Sequence, residues 1–100
     1  MNFKFANRKM ERLYTEEKGT RRYPSLVVDA FFEVIQAIES AEDERDLRKM
    51  KHLHFEKLKG QRQHHRSLAL HGAFRLVVQL LEGEEGKYLL VESIIDYHEG

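Results

Sequence analysis

The stretch AFRLVVQLL, residues 73–81, alternates apolar side chains with other side chains at nearly every second position. This period of two predicts a β-strand, because successive side chains of a strand point to opposite faces of its sheet. One face of the strand would pack on the core, and the other would carry Arg75 towards solvent or a ligand. The residues predicted on the core face are Phe74, Leu76, Val78 and Leu80, and those on the open face are Arg75, Val77 and Gln79.

The segments on either side of this strand predict an antiparallel meander. A preceding strand at residues 66–70 would be joined to it by a tight turn at His71-Gly72. The other predicted segments are a polar hairpin loop at residues 82–86, a last strand at 87–97, and a short early strand at 54–59 that ends at Gly60.

The sequence before the meander has helical periodicity. The strongest pattern covers residues 26–40, where apolar residues recur three and four positions apart. Pro24 suits the first turn of this helix, and Ser25 can cap it. A weaker pattern predicts a helix at residues 7–18 with Gly19 as its C-cap. The short connection between these helices predicts an antiparallel hairpin.

Two short segments complete the predicted architecture. Phe3 and Phe5 indicate an N-terminal strand, and the charged residues 41–51 predict one amphipathic turn around Leu47 and Met50. Helices grouped before a meander are typical of an α+β fold. We therefore expect an N-terminal strand and a two-helix hairpin packed on a three- to four-stranded antiparallel sheet, in a single domain spanning residues 1–100.

The composition narrows the class of protein. The chain has no cysteine, which excludes disulfides and thiolate metal sites. Its six histidines have no spacing typical of metal ligands, so no metal site and no cofactor are predicted. No apolar run has the length of a signal peptide or a membrane span. The expectation is a cytoplasmic protein without a membrane partner.

The net charge is zero, but the charge is unevenly distributed. Residues 48–75 contain eight Lys or Arg residues and a single acidic residue, Glu56, together with five of the six histidines. Such a block indicates either an anionic partner, such as a phosphate backbone, or a solvated basic surface. Charge alone does not choose between them.

Metal-free cleavage of RNA needs a base for the ribose 2′ proton, an acid for the leaving 5′ oxygen, and a cation for the phosphorane-like transition state. Arginine suits the last task because its planar fork matches phosphate oxygens, and histidine suits either proton transfer. Residues of these types lie in the basic block and at the end of the last predicted strand, but their spacing also fits solvated side chains and a frayed terminus. They are His54, Lys57, Lys59, Arg75, Tyr97 and His98.

Several motifs in order resemble the HigB branch of the RelE-like toxins. They are HFEKLKG at residues 54–60, Ser67, FRL at residues 74–76 and IDYH at residues 95–98. The preceding AIESAEDERDLRKM is similar to the helix-to-strand segment of that family, and the resemblance covers essentially the whole chain. It implies a RelE-like fold and a ribosome-dependent mRNA endonuclease that inhibits translation and growth. It also implies a HigA-type helix-turn-helix antitoxin, through which alone the toxin would reach operator DNA.

The resemblance also implies roles for single residues. Arg75 matches the arginine that binds the phosphate, and Lys59 matches a basic residue that contacts it. Tyr97 and His98 match the pair that orients mRNA and moves protons, and Asp96 matches the aspartate before that pair, which would position His98. The remaining expected contributors are Lys57 and His54 in catalysis, and in RNA binding they are Lys51, Arg62, Arg66 and Asp96.

One position departs from the family pattern. Some family members have histidine where this chain has Glu56, with His54 two residues earlier. Alternation along the predicted strand would place residues 54 and 56 on one face, so His54 is a possible substitute. The assignment of base and acid stays open among His54, Lys57, Lys59, Tyr97 and His98.

Two other functions are alternatives to mRNA cleavage. ParE-like relatives share the fold but act on DNA gyrase, so a non-catalytic toxin with a protein target is an alternative. A regulatory RNA-binding domain without toxicity is the third. Substitution of Arg75 and His98 distinguishes the mRNA endonuclease from the gyrase-binding toxin, because only a nuclease should lose its toxicity when these side chains are removed.

Overall fold

A computed structural model describes residues 1–60 and 63–97 of the chain. Its strands are β1 (Asn2–Phe5), β2 (Glu56–Lys57), β3 (His65–Ala69), β4 (Phe74–Gly83) and β5 (Gly86–Asp96). Its helices are α1 (Arg8–Glu16), α2 (Ser25–Ser40) and α3 (Glu44–Lys49), with 3₁₀ turns at Thr20–Arg22 and Lys51–Leu53. The predicted α+β, RelE-like fold is confirmed. None of the helices in these ranges has the length and apolarity needed to cross a bilayer.

The strands form one mixed sheet in the order β1-β5-β4-β3-β2. The meander from β2 to β5 is antiparallel as predicted, whereas β1 pairs with β5 in parallel and makes a fifth strand. This arrangement places β4 in the centre and leaves β1 and β2 at opposite edges. Arg75 therefore lies on the central strand of the sheet.

The core lies between the helices and one face of the sheet. On β4, Leu76 and Val78 are fully buried, and on α2, Phe31 and Ile35 are fully buried. These residues belong to one hydrophobic cluster that also contains residues of α1 and β5. Arg75 points away from this cluster because side chains alternate along the strand, so the sheet has an open face as predicted.

The helical hairpin ends differently from the prediction. The C-cap of α1 is Glu17, which has a left-handed backbone with a φ of 53°, and Gly19 instead precedes the first 3₁₀ turn with a φ of 86°. At the other end of α1, Asn7 accepts a hydrogen bond from the main-chain nitrogen of Met10, 3.0 Å away. The N-cap of α2 is Pro24, and Ser25 is the first helical residue rather than a cap.

The charged segment before the meander also differs in detail. The predicted single turn is the short helix α3, and the strand predicted at residues 54–59 contains only Glu56 and Lys57. His54 precedes that strand with a left-handed φ of 45°. The prediction that His54 and Glu56 lie on one face of the same strand is therefore wrong, because Glu56 pairs with β3 and His54 does not.

Candidate active site

A cavity of about 310 Å³ opens beside Arg75 at one end of the open sheet face. Its walls come from β2 and the two residues after it, from β3, from the turn before β4, and from the residue after β5. The lining residues are Glu56, Lys57, Leu58, Lys59, Ser67, Gly72, Ala73, Arg75 and Tyr97. Of the six predicted catalytic residues, Lys57, Lys59, Arg75 and Tyr97 thus share one cavity.

Arg75 is held in place by two partners. Its Nε donates to the hydroxyl oxygen of Ser67 at 2.8 Å, and its Nη2 donates to the main-chain carbonyl of His54 at 2.6 Å. Ser67 is only 2% exposed, which makes it a rigid anchor. Within residues 1–60 and 63–97, the structure shows no hydrogen bond from the Arg75 Nη1. The guanidinium therefore has donors left for an oxyanion after its orientation has been fixed.

Tyr97 forms the wall opposite β2. It follows β5, and its main-chain nitrogen donates to the carbonyl of Ala73 at 2.8 Å. The residue is 36% exposed, an unusually high value for a large apolar side chain in this protein. Because the main chain is anchored and the ring is accessible, Tyr97 is suited to contact a nucleobase.

The other predicted site residues are distributed differently. His98 and Arg62 lie outside the described residues. Lys51 is exposed in the second 3₁₀ turn and does not line the cavity. Arg66 lies on β3 and turns back on the residues before it, where its Nη1 donates to the carbonyls of Gln63 and His65 at 2.7 and 3.0 Å. Asp96 pairs in register with Phe74 and so lies on the core face of the sheet, opposite to Arg75.

Glu56 is a cavity residue that the sequence prediction did not include. It pairs with Ser67 across β2 and β3, which puts its side chain on the same sheet face as Arg75. One carboxylate oxygen, Oε1, lies 3.8 Å from Nδ1 of His54. Within HFEKLKG, Glu56 was visible as a departure from the family pattern, but only the strand register shows which sheet face its side chain is on.

A second polar cluster lies further along the open face and was also missed. The pairing changes from Val77 with Ser93 to Val78 with Val91, so Glu92 is the extra residue of a β-bulge. Its carboxylate accepts a hydrogen bond from Gln79 and lies 3.3 Å from Nε2 of His65. A bulge has no marker in the sequence, so nothing before the structure indicated this cluster.

Comparisons with known proteins agree with this architecture. The family described as "RelE-like toxin of type II toxin-antitoxin system HigB" matches residues 3–98. Among individual proteins, the chain is similar to Toxin HigB-1 of Vibrio cholerae serotype O1 (strain ATCC 39315 / El Tor Inaba N16961). The two are 29% identical over 83 residues, which cover 83% of this chain and 87% of that toxin.

Proposed function

Because the chain belongs to the HigB family of RelE-like toxins, we propose that it arrests growth by cutting mRNA on the ribosome. Membership makes it a toxin of a type II toxin–antitoxin system, and its partner is an antitoxin. The proposal adds the target, the reaction and the kind of partner. The antitoxin would be a HigA-type helix-turn-helix protein that also connects the toxin to operator DNA.

The observation that carries the proposal is the orientation of Arg75. Its guanidinium is fixed by Ser67 and by the His54 carbonyl, yet it faces a cavity that contains two lysines and a tyrosine. Such preorganised donors stabilise charge that develops in a transition state without having to reorient during the reaction. A phosphodiester is the substrate group that best fits a planar cation in a cavity lined by lysines.

The proposed reaction is an internal transesterification. The 2′ oxygen of a ribose forms a bond to the adjacent phosphorus, and the bond from phosphorus to the 5′ oxygen of the next nucleotide breaks. Arg75 would stabilise the doubly charged phosphorane, and Lys57 and Lys59 would hold the neighbouring phosphates. Tyr97 would stack on a base, with His54 and His98 as further candidates for proton transfer.

Dependence on the ribosome fits the size of the cavity. A volume of about 310 Å³ is at the lower end of the range for small-ligand pockets, so it accommodates a group of about one nucleotide. The chain cannot hold a long stretch of RNA in a strained conformation by this cavity alone. We therefore propose that the ribosome holds the mRNA and that the toxin enters at a translated codon.

The test is to map the 5′ ends of mRNA in cells after brief induction of the toxin. Wild type should produce new ends inside translated codons, and Arg75→Ala should produce none. Arg21→Ala is the matched control, because it removes an exposed arginine from the first 3₁₀ turn, outside the cavity lining. Growth arrest by the wild type without new ends would contradict the proposal and favour a protein target such as gyrase.

A further inference from the structure

The proposed reaction needs a group that accepts the 2′ proton at neutral pH. Carboxylates are unprotonated there, whereas lysine, arginine and tyrosine side chains normally keep their protons. The titratable side chains among the described lining residues are those of Lys57, Lys59, Arg75, Tyr97 and Glu56. Glu56 is the carboxylate in this set.

The position of Glu56 relative to Arg75 fits such a role. Glu56 pairs in register with Ser67, and the Ser67 hydroxyl accepts the hydrogen bond from Nε of Arg75. The carboxylate and the guanidinium therefore lie on the same face, on either side of one buried hydroxyl. A phosphate bound to Arg75 would place the ribose next to it within the same cavity as Glu56.

The charge of Glu56 is difficult to explain by binding or by packing. A carboxylate beside a bound phosphodiester opposes binding by repulsion, and this one does not orient Arg75, whose partners are Ser67 and the His54 main chain. The side chain of Glu56 is 63% exposed, so it contributes little to the core. Its nearby partner is His54, whose Nδ1 lies 3.8 Å from Oε1.

We propose that Glu56 is the general base of the cleavage reaction, an inference that rests on the function proposed above. Its carboxylate accepts the proton of the 2′ hydroxyl while the 2′ oxygen bonds to phosphorus. The leaving 5′ oxygen receives a proton from Lys59 as its bond to phosphorus breaks. Afterwards Glu56 releases its proton to solvent and the lysine regains one.

The experiment measures single-turnover cleavage of mRNA in programmed ribosomes from pH 5 to pH 9. Glu56→Gln keeps the shape of the side chain but cannot accept the proton, so cleavage should slow by about 10²–10⁴-fold. Binding to the ribosome should stay equal or become tighter, because a negative charge is removed. Glu56→His should recover part of the rate, with the acid side of the pH profile moved towards neutrality, where imidazole titrates.

Controls separate this proposal from the function on which it rests. Glu84→Gln changes an exposed carboxylate in the turn between β4 and β5 and should cut like wild type. Cleavage by Glu56→Gln within about threefold of wild type would overturn the role of Glu56 and leave the ribonuclease function standing. A Glu56→Gln protein that melts far below wild type, or a Glu56→His protein with an unmoved pH profile, would also overturn it. A wild type that cuts no mRNA would overturn both proposals.

Discussion

At the scale of single residues, the site depends on one buried hydroxyl. Ser67 accepts from Arg75 at 2.8 Å and stands opposite Glu56 in register, so it connects the proposed cation and the proposed base. The second anchor of Arg75 is a main-chain carbonyl, which no side-chain substitution at His54 removes. The Ser67 side chain is therefore the anchor that mutation can test.

We predict that Ser67→Ala slows cleavage by about tenfold or more, because a hydrogen bond to a charged group contributes about 1.5–3 kcal/mol to its orientation. The fold should persist, since alanine fits the space of serine. Single-turnover cleavage and thermal melting together measure the two effects. Ser93→Ala changes a half-buried serine on β5 and should cleave normally. Equal rates for the two variants would show that Ser67 does not position Arg75.

At the scale of elements, the end of α1 contains a residue in an unfavourable conformation. Glu17 has a φ of 53°, in the left-handed region where a side chain costs roughly 1 kcal/mol and glycine costs little. We predict that Glu17→Gly raises the free energy of unfolding by about 0.5–1 kcal/mol. Glu16→Gly, one residue earlier inside the helix, should lower it by a similar amount. Urea denaturation measures both, and destabilisation by both variants would contradict the cap geometry.

A second element-scale feature joins α3 to β5. The Lys87 ammonium donates to Oε1 of Glu44 at 2.9 Å, and this hydrogen bond, followed by one from the main chain, lowers the pKa of the nearly buried Glu44. A lowered pKa stabilises the fold at pH values above the pKa of about 4.5 that Glu44 has in the unfolded chain. This stabilisation is lost as the pH falls through the pKa of Glu44 in the folded protein.

Glu44→Gln should therefore show a flatter loss of stability in acid than wild type. At pH 7 we expect it to be less stable by about 1 kcal/mol, a modest figure because Lys87 is half exposed. Unfolding curves recorded between about pH 3 and pH 7 would measure the difference. If the wild-type and Glu44→Gln curves ran parallel over that range, the ion pair would not link folding to protonation.

Elements with strong periodicity were predictable, and those defined by pairing were not. The period of two at residues 73–81 anticipated β4 and the open-face position of Arg75, and the apolar pattern at 26–40 anticipated α2. In contrast, β2 is only two residues long and exists because it pairs with β3. The cavity side of Glu56 follows from that pairing, which is a long-range contact that local sequence does not encode.

At the scale of the whole molecule, the strand order separates the lysines on the two edge strands. The sheet runs β1-β5-β4-β3-β2, so Lys57 on β2 and Lys4 on β1 occupy opposite edges. Four strand spacings of about 4.8 Å place these edges roughly 19 Å apart. Since the net charge is zero, attraction to a polyanion depends on where the basic residues lie rather than on total charge.

The last prediction concerns the salt dependence of binding to programmed ribosomes. Each lysine that contacts a phosphate of single-stranded RNA contributes about 0.7 to the slope of log K against log salt, because binding releases a counterion. The double variant Lys57→Gln, Lys59→Gln should therefore flatten the slope by about 1–1.5, whereas Lys4→Gln on the far edge should leave it unchanged. Affinities measured by cosedimentation over several salt concentrations decide the matter. Should Lys4→Gln flatten the slope and the double variant leave it unchanged, the mRNA would approach the β1 edge, and the cavity beside Arg75 could not be where it binds.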